Sequence, residues 1–388
     1  MLRKATVVAA LLSLFSVLVC PGTGRAEEAV PTITVGHVGH DHQLALYVAA
    51  EAGPSLQKDY GVYFKELKPQ EVYELYDGGK LVAQVHMVRV GGGSKMPAAM
   101  EQGQIEVGLG GLGPVMKFMD KGALIKVVAP LNNDGDALVL RNDVAAASWA
   151  DFIQHIKQSK RPVKIGYKDP MANAYLILIS ALAEEGIRFG QEPVSADGKP
   201  TQVMLMNLQG DENTLPSMEA GLVDGVVANE PMPSILVHKK AGHRVADLSS
   251  LPPAGKWKDH PCCVVAATDA ALRDKRAIVR SLLKAIAAGS DIILRDRKKA
   301  LAAEARWTKT APEIGEKSIQ NVNYLARPDQ AWLAAVDTWT AMMQASNGFQ
   351  KNLKGKSPAD IRTALFDMKP LEEALSELEL LRQKGGKN

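Results

Sequence analysis

Imidazole and thiol groups are concentrated in two short stretches of this chain. The first stretch carries three histidines within six residues, and the second carries one histidine followed by two adjacent cysteines. Such donors suit a soft or borderline transition metal. The candidate metal ligands are His37, His40, His42, His260, Cys262 and Cys263. Two alternatives stay open: the histidines act without a metal, and the cysteines either begin a buried strand or form a strained vicinal disulfide.

A glycine-rich turn is the second feature that could bind a ligand. Residues 85–90 are apolar and predict a strand, and residues 97–102 predict a short helix after the turn. Gly92 and Gly93 let the backbone approach a bound group, and Ser94 is predicted to cap the helix. A helix N-terminus favours an anionic or polar ligand. An ordinary strand-to-helix turn is the alternative, because no phosphate-loop motif follows.

Alternating strands and helices predict an α/β fold around these residues. Predicted strands cover 32–35, 63–67, 85–90, 105–109, 124–129, 137–140, 163–167, 203–208, 223–227 and 264–267. Predicted helices cover 43–52, 97–102, 115–120, 152–158, 174–185, 215–220 and 234–240. Ligands of such sheets bind at the carboxyl ends of the strands. Residues 37–42, residues 91–94 and a second glycine turn with Gly111 and Gly113 lie at these ends.

The last part of the chain is predicted to be almost entirely helical. Helices are predicted at 275–294, 297–308, 312–322, 328–345 and 370–383. Residues 306–388 are therefore predicted to form a helical C-terminal extension. The final helix is amphipathic, and we expect its apolar side to pack on the body of the protein.

Residues 1–26 have the pattern of a secretory signal peptide. Arg3 and Lys4 form a charged start, an apolar run covers 5–19, and small residues precede a cleavage point after Ala26. The apolar run is short for a bilayer span. These features predict export to the periplasm.

The composition after export excludes some partners. The chain has 46 basic and 43 acidic residues, and the predicted signal peptide contains three of the basic residues and none of the acidic ones. The exported chain is therefore near neutral. A near-neutral chain without a basic patch argues against nucleic acid as a partner. We expect no lipid anchor at Cys20, because Val19 stands where a lipoprotein signal has a small residue. The two remaining cysteines are no disulfide framework.

Six short motifs follow one another between residues 32 and 290. They are VAAEAG at 48–53, YGV at 60–62, MEQGQIEVG at 100–108, KGALIKVVA at 121–129, EAGLVDG at 219–225 and NEP at 229–231. In this order they resemble the periplasmic solute-binding proteins of ABC importers. The most similar branch is the nitrate/sulfonate/taurine group (SsuA-like), which shares a domain with the NMT1/THI5 pyrimidine-biosynthesis proteins. Residue Glu106 stands where the family often has Asp.

The resemblance implies a type II periplasmic-binding-protein-like fold with two lobes and a hinge. Lobe 1 would comprise 31–136 and 235–305, lobe 2 would comprise 137–234, and the hinge would lie near 131–136 and 231–234. The protein would be a monomer that passes a small-molecule solute to ABC permease and ATPase subunits. The family's ligand loops map onto His37, His40, His42, Gly92, Gly93, Ser94, Gly111, Gly113, Asp134, Met171, Asn173, Asn229 and Glu230.

The histidine-rich first loop departs from the neutral donors and occasional Arg or Lys of nitrate and sulfonate sites. A transition metal or metal chelate is therefore an alternative solute, and no other cofactor is expected. We expect no catalysis, because no nucleophile elbow, zincin helix or phosphate loop occurs in the sequence. The pyrimidine-biosynthesis relatives use a cysteine-rich motif, whereas this chain has a two-cysteine pair at a different place. A periplasmic sensor would have much the same sequence and stays open.

Overall fold

Two β-sheets, each covered by helices, form the framework of the protein. The computed structural model describes residues 29–194 and 198–385, so the predicted signal peptide and Cys20 lie outside the described residues. The strands are β1 (Thr32–His37), β2 (Val62–Lys68), β3 (Val72–Asp77), β4 (Lys80–Arg89), β5 (Val107–Gly111), β6 (Ile125–Asp134), β7 (Asp136–Leu140), β8 (Val163–Tyr167), β9 (Phe189–Gly190), β10 (Val203–Asn207), β11 (Gly225–Asn229), β12 (His243–Asp247), β13 (Pro261–Thr268) and β14 (Val322–Tyr324).

Helices follow most of the strands. They are α1 (Leu44–Ala52), α2 (Gln57–Tyr60), α3 (Met96–Glu101), α4 (Leu112–Lys121), α5 (Trp149–Gln158), α6 (Asn173–Glu184), α7 (Thr214–Glu219), α8 (Met232–His238), α9 (Asp269–Asp274), α10 (Arg276–Arg295), α11 (Arg297–Thr308), α12 (Pro312–Ser318), α13 (Gln330–Ala345), α14 (Pro358–Leu365) and α15 (Lys369–Gly385). Within residues 29–194 and 198–385, none of these helices combines the length and the hydrophobicity needed to cross a bilayer.

Each sheet combines parallel strands with strands that return in the opposite direction. The first sheet has the order β14-β6-β13-β5-β1-β4-β3-β2, and the second has the order β12-β7-β11-β8-β10-β9. Strands β4, β1 and β5 are parallel, as are β11, β8, β10 and β9. Strand β13 enters the first sheet antiparallel, between β5 and β6. The carboxyl ends of the parallel strands therefore form the edges at which ligands bind in such folds.

The chain passes between the sheets twice, and the second passage differs from the prediction. The first passage is the turn at Gly135, between β6 and β7, inside the hinge segment predicted at 131–136. The sequence-based prediction has lobe 2 end at residue 234 and the second hinge segment lie at 231–234. However, β12 comes after these residues and pairs with β7 in the second sheet. The return to the first sheet therefore lies between β12 and β13. The other lobe boundaries stay predictions.

The packing of α1 against α10 fixes the histidine-bearing segment on the first sheet. Helix α1 is buried along almost its whole length, and α10 crosses it at Gly289. A Cβ at Gly289 would lie 1.9 Å from the carbonyl oxygen of Ala45, so only glycine allows this approach. The 3-10 turn before α1 (Asp41–Gln43) is thereby fixed at the carboxyl end of β1, in the interior of the first sheet.

The C-terminal region is helical, with one short strand, and it packs on both sheets' cores. Helix α15 lies against α10, where Lys284 forms ion pairs of 2.8 Å with Asp77 and 2.9 Å with Glu377. Trp332 and Trp339 of α13 are buried in the apolar core around α4 and α6. The helix predicted at 312–322 ends at Ser318, and β14 follows it at the edge of the first sheet.

Candidate functional site

A cleft of about 750 Å³ opens where the strand ends of the two sheets face each other. Its lining comes from both sheets and from α11. The lining residues are Val38, Gly39, His40, Arg89, Val90, Gly91, Gly92, Ser94, Lys95, Lys168, Asp169, Asn207, Gln209, Gly210, Asp211, Glu212, Asn229, Glu230, Pro231, Met232, Ile235, Thr308 and Thr310.

A smaller recess of about 30 Å³ continues the cleft inward to Cys262 and Cys263. His40, Ser94, Lys168 and Asn229 line both spaces. The recess is further lined by Gly93, Gly111, Pro114, Asp136, Met171, Ala172, Asn173, Ala174, Cys262 and Cys263. The thiols therefore form the floor of the cleft.

Three cationic side chains line the cleft, and two of them, Arg89 and Lys168, extend from opposite sheets. Arg89 is the last residue of β4, and Lys168 follows β8 directly. The ammonium group of Lys168 donates to Asp211 (3.1 Å) and to Asn229 (2.5 Å). Burial alone would lower the pKa of Lys168, but the Asp211 carboxylate raises it, so the group is charged. In the described part of the chain, no carboxylate forms an ion pair with Arg89.

The glycine-rich turn has a different geometry from the predicted helix cap. Gly92 adopts a φ of 142°, and a 3-10 turn (Gly93–Lys95) stands between it and α3. Ser94 lies inside that turn, and the residue before α3 is Lys95, whose side chain makes no capping bond. The prediction of a Ser94 cap is therefore wrong. The physical reason is the extra turn, which places Ser94 on the cleft wall instead.

His42 and the two cysteines form a buried cluster under the recess. Nδ1 of His42 lies 3.2 Å from Sγ of Cys262 and 4.0 Å from Sγ of Cys263. The side-chain amide of Asn132 lies 3.2 Å from the same nitrogen. The three donor atoms of the histidine and cysteines all lie within 4.8 Å of one another. This arrangement can hold a metal ion or stabilise a thiolate.

The cysteines share one negative charge. The Cys262 thiol donates a hydrogen bond to Cys263, and this bond favours the Cys263 thiolate. Together with the neighbouring His42 it outweighs the effect of burial and lowers the pKa of Cys263 to about 6. The same hydrogen bond and burial raise the pKa of Cys262. Burial alone would lower the pKa of His42, but the neighbouring Cys263 thiolate raises it to about 9. The pair therefore carries a thiolate next to a charged imidazole near neutral pH.

The other two histidines of the first loop have different surroundings. The ring of His37 packs edge-on against Tyr47 and Trp307, and its Nδ1 lies 3.1 Å from the Tyr47 hydroxyl. Burial and the nearby Arg89 lower the pKa of His37 to about 4. His40 lines the cleft, its Nδ1 has no hydrogen-bond partner, and burial followed by the charge of His42 lowers its pKa. Both rings are therefore neutral.

His260 lies at the first passage between the sheets rather than with the thiols. Its Nδ1 is 2.9 Å from Asp134 and its Nε2 is 3.0 Å from Asp136. Burial alone would lower the pKa of His260, but the nearby carboxylates of Asp134 and Asp136 raise it to about 10. The charged ring thus joins the end of β6 to the start of β7. Asp134 is engaged in this contact and does not line the cleft.

The remaining predicted ligand residues mostly line the cleft or its recess. Asn173, at the start of α6, donates to the carbonyl oxygens of Pro261 (3.2 Å) and Cys262 (3.0 Å) and so joins the two lobes. Glu230 forms a 2.6 Å ion pair with Arg244, so the negative charge of the Glu230 carboxylate is neutralised within the protein. Those that line the cleft or recess are His40, Gly92, Gly93, Ser94, Gly111, Met171, Asn173, Asn229 and Glu230, whereas His37, His42, Gly113 and Asp134 do not.

Sequence comparison places this architecture in a known family. The profile of the NMT1-like family matches residues 27–307, which is most of the chain. The chain belongs to the NMT1-like family. It is also 38% identical over 141 residues to the uncharacterized protein MJ1180 of Methanocaldococcus jannaschii, a match that covers 36% of this chain and 97% of that protein.

Solved structures similar to this NMT1-like protein include binding proteins. The periplasmic nitrate-binding protein NrtA from Synechocystis PCC 6803 has a TM-score of 0.68 at 14% identity, covering 91% of this chain and 90% of NrtA. The periplasmic aliphatic sulphonate-binding protein SsuA from Escherichia coli has a TM-score of 0.61 at 13% identity, covering 87% and 97%. A ligand-binding component of an ABC-type import system from Staphylococcus aureus, solved with zinc bound, has a TM-score of 0.66 at 14% identity, covering 89% and 99%.

At such low identities these structures show the fold alone. They confirm the periplasmic-binding-protein-like α/β fold and the resemblance to the nitrate and sulfonate branch. Arg89 and Lys168 of this NMT1-like protein were missed by the sequence reasoning. A cation at the carboxyl end of a predicted strand, as the second-last residue of 85–90 or directly after 163–167, is the signal that could have found both.

Proposed function

We propose that this NMT1-like protein is an exported solute-binding protein that captures a small anionic solute between its lobes. It delivers the solute to the permease and ATPase subunits of an ABC importer, and it acts in the periplasm without catalysing a reaction. The fold supports the general binding role, since its neighbours include the ligand-binding components of ABC import systems. The predicted signal peptide supports export.

The guanidinium of Arg89, which forms no ion pair within residues 29–194 and 198–385, is the observation that carries the anionic class. Its planar donors match a carboxylate, sulfonate, nitrate or phosphate group. Lys168, on the opposite wall, keeps donors directed along the same cleft while Asp211 and Asn229 hold it in place. A solute between these walls contacts both lobes and therefore favours their closed arrangement. Asn173 joins the lobes at the floor of this cleft by donating to the carbonyl oxygen of Cys262.

A thermal-shift panel of nitrate, short alkanesulfonates, phosphate and small carboxylates tests the proposal, followed by calorimetry of the best ligand. We expect at least one anion to stabilise the protein. Replacing Arg89 by Ala removes a charge-assisted hydrogen bond of about 1.5–3 kcal/mol, which is roughly a 10- to 150-fold loss of affinity. Arg89→Lys should retain part of the affinity, because it keeps the charge but loses the planar fork.

Arg273→Ala is the matched control, because Arg273 is exposed like Arg89 but does not line the cleft, and it pairs only with its neighbour Asp274 among the ion pairs of the described residues. This variant should bind like the wild type. Two results would overturn the proposal: stabilisation by neutral solutes alone, or equal affinity in the Arg89→Ala variant and the control.

A further inference from the structure

We propose that His42, Cys262 and Cys263 bind one thiophilic d¹⁰ metal ion, Zn²⁺ or Cu⁺, on the floor of the cleft. This inference does not depend on the anionic solute proposed above, because it concerns donors beneath the recess. Thiolate and imidazole ligands select these two ions over hard cations. Ligation displaces the protons still held by the thiols and by the ligating ring nitrogen of His42, releases them to water and needs no oxidant or reductant.

The spacing of the donor atoms matches a metal centre. In a tetrahedral Zn²⁺ centre with bonds of ~2.3 Å to sulfur and ~2.0 Å to nitrogen, the sulfur and nitrogen atoms lie about 3.6 Å apart. The sulfur-to-nitrogen distances of 3.2 Å to Cys262 and 4.0 Å to Cys263 lie on either side of that value. Shifts of a few tenths of an ångström would therefore bring all three donors to one ion.

The backbone of β13 is irregular at the cysteines. Neighbouring residues of a regular strand point to opposite faces of the sheet. Here the register against β6 shifts between Pro261 and Cys263 and again between Cys263 and Val264. Both sulfurs consequently lie on the side of His42. Bulges that redirect side chains are found next to functional sites, and Pro261 fits such an irregular position because it donates no ladder bond.

The recess leaves space for a fourth ligand. Cys262 and Cys263 line it, and so do two buried polar side chains that have unpartnered atoms, Nδ1 of His40 and Oδ1 of Asn173. A metal ion bound by three protein ligands keeps an open position that a solute donor or water can occupy. The same ion would therefore be reachable from the cleft while its protein ligands remain buried.

Metal titration of the thiol-reduced protein, expressed from the full gene, tests the site. Zn²⁺ and Cu⁺ are added separately in competition with a chromophoric chelator, without any organic solute. We expect one equivalent of at least one ion to bind. Cys262→Ser and Cys263→Ser should each lower the affinity at least tenfold, whereas His238→Ala, at an exposed histidine, should not. Circular dichroism and melting curves check that the variants are folded.

Co²⁺ binding gives a second readout that needs only the wild-type protein. A thiolate ligand produces an intense near-ultraviolet charge-transfer band, which oxygen and nitrogen ligands do not produce. Three results would overturn the proposal: no equivalent bound by either ion, serine variants that bind like the wild type, or thiols that stay oxidised under reduction. A protein that binds metal but no anion would overturn only the proposed function, and the reverse result would overturn only the metal site.

Discussion

The Asn173 side chain is a buried bridge between the two lobes, and its removal should favour opening of the cleft. The Asn173 amide nitrogen donates to the carbonyl oxygens of Pro261 at 3.2 Å and Cys262 at 3.0 Å. The donor belongs to α6 beside the second sheet, whereas both acceptors belong to β13 of the first sheet. Asn173 is 6% exposed, so water cannot replace it freely in the closed arrangement.

The expected effect follows from two hydrogen bonds. Each contributes about 0.5–1.5 kcal/mol net, so Asn173→Ala should disfavour the closed arrangement by about 1–3 kcal/mol. That free energy corresponds to a roughly 5- to 150-fold shift of the equilibrium between closed and open forms. Folding should survive, because the side chain lies at the first turn of α6 and its methylene remains.

Small-angle X-ray scattering of the unliganded protein measures this shift, since separated lobes increase the radius of gyration. Asn207→Ala is the matched control, because Asn207 lines the same cleft, but within the described part of the chain its side chain accepts a bond only from the nearby Gln209 backbone. We expect a larger radius for Asn173→Ala than for the control and the wild type. Identical scattering curves for the three proteins would refute the claim that Asn173 holds the lobes together.

Two further predictions concern stability. Burial and the neighbouring Asp41 and Glu230 carboxylates, opposed by Ser318 and Arg297, raise the pKa of Glu304 to about 8. Because this pKa exceeds that of Glu304 in the unfolded chain, the folded protein should lose roughly 2–4 kcal/mol of stability from about pH 5 to about pH 9. Glu304→Gln should flatten the pH dependence of the free energy of unfolding, measured with urea. An unchanged pH dependence in that variant would contradict the reasoning. Gly289→Ala should destabilise by more than about 3 kcal/mol, since its Cβ meets the Ala45 carbonyl at 1.9 Å; a variant as stable as the wild type in urea would refute the proposed close packing.

Local sequence signals predicted the position of the cleft well. Turns after predicted strands contain His40, Gly92 and Asn229, and the carboxyl ends of parallel strands bring such turns to one edge. The alternation of strands and helices likewise predicted the two-sheet architecture. These features depend on residues near one another in the chain, which is why periodicity and turn composition indicate them.

Features that depend on distant partners could not be predicted in the same way. Strand β12 is half-buried and short, and it joins the second sheet only because it pairs with the distant β7. The convergence of His42 with Cys262 depends on register shifts between β13 and β6. The separation of His260 from the thiols depends on Asp134 and Asp136, which bind it at the passage between the sheets.

Native mass spectrometry of the protein, purified gently from the cells that produce it, tests the central claim of solute capture most directly. The wild type and the Arg89→Ala variant are measured side by side. We expect a small organic or inorganic anion on the wild type and a several-fold smaller bound fraction on the variant. A wild-type chain that carries no molecule, or a molecule that both proteins retain equally, would contradict the capture of an anion by Arg89 in this cleft.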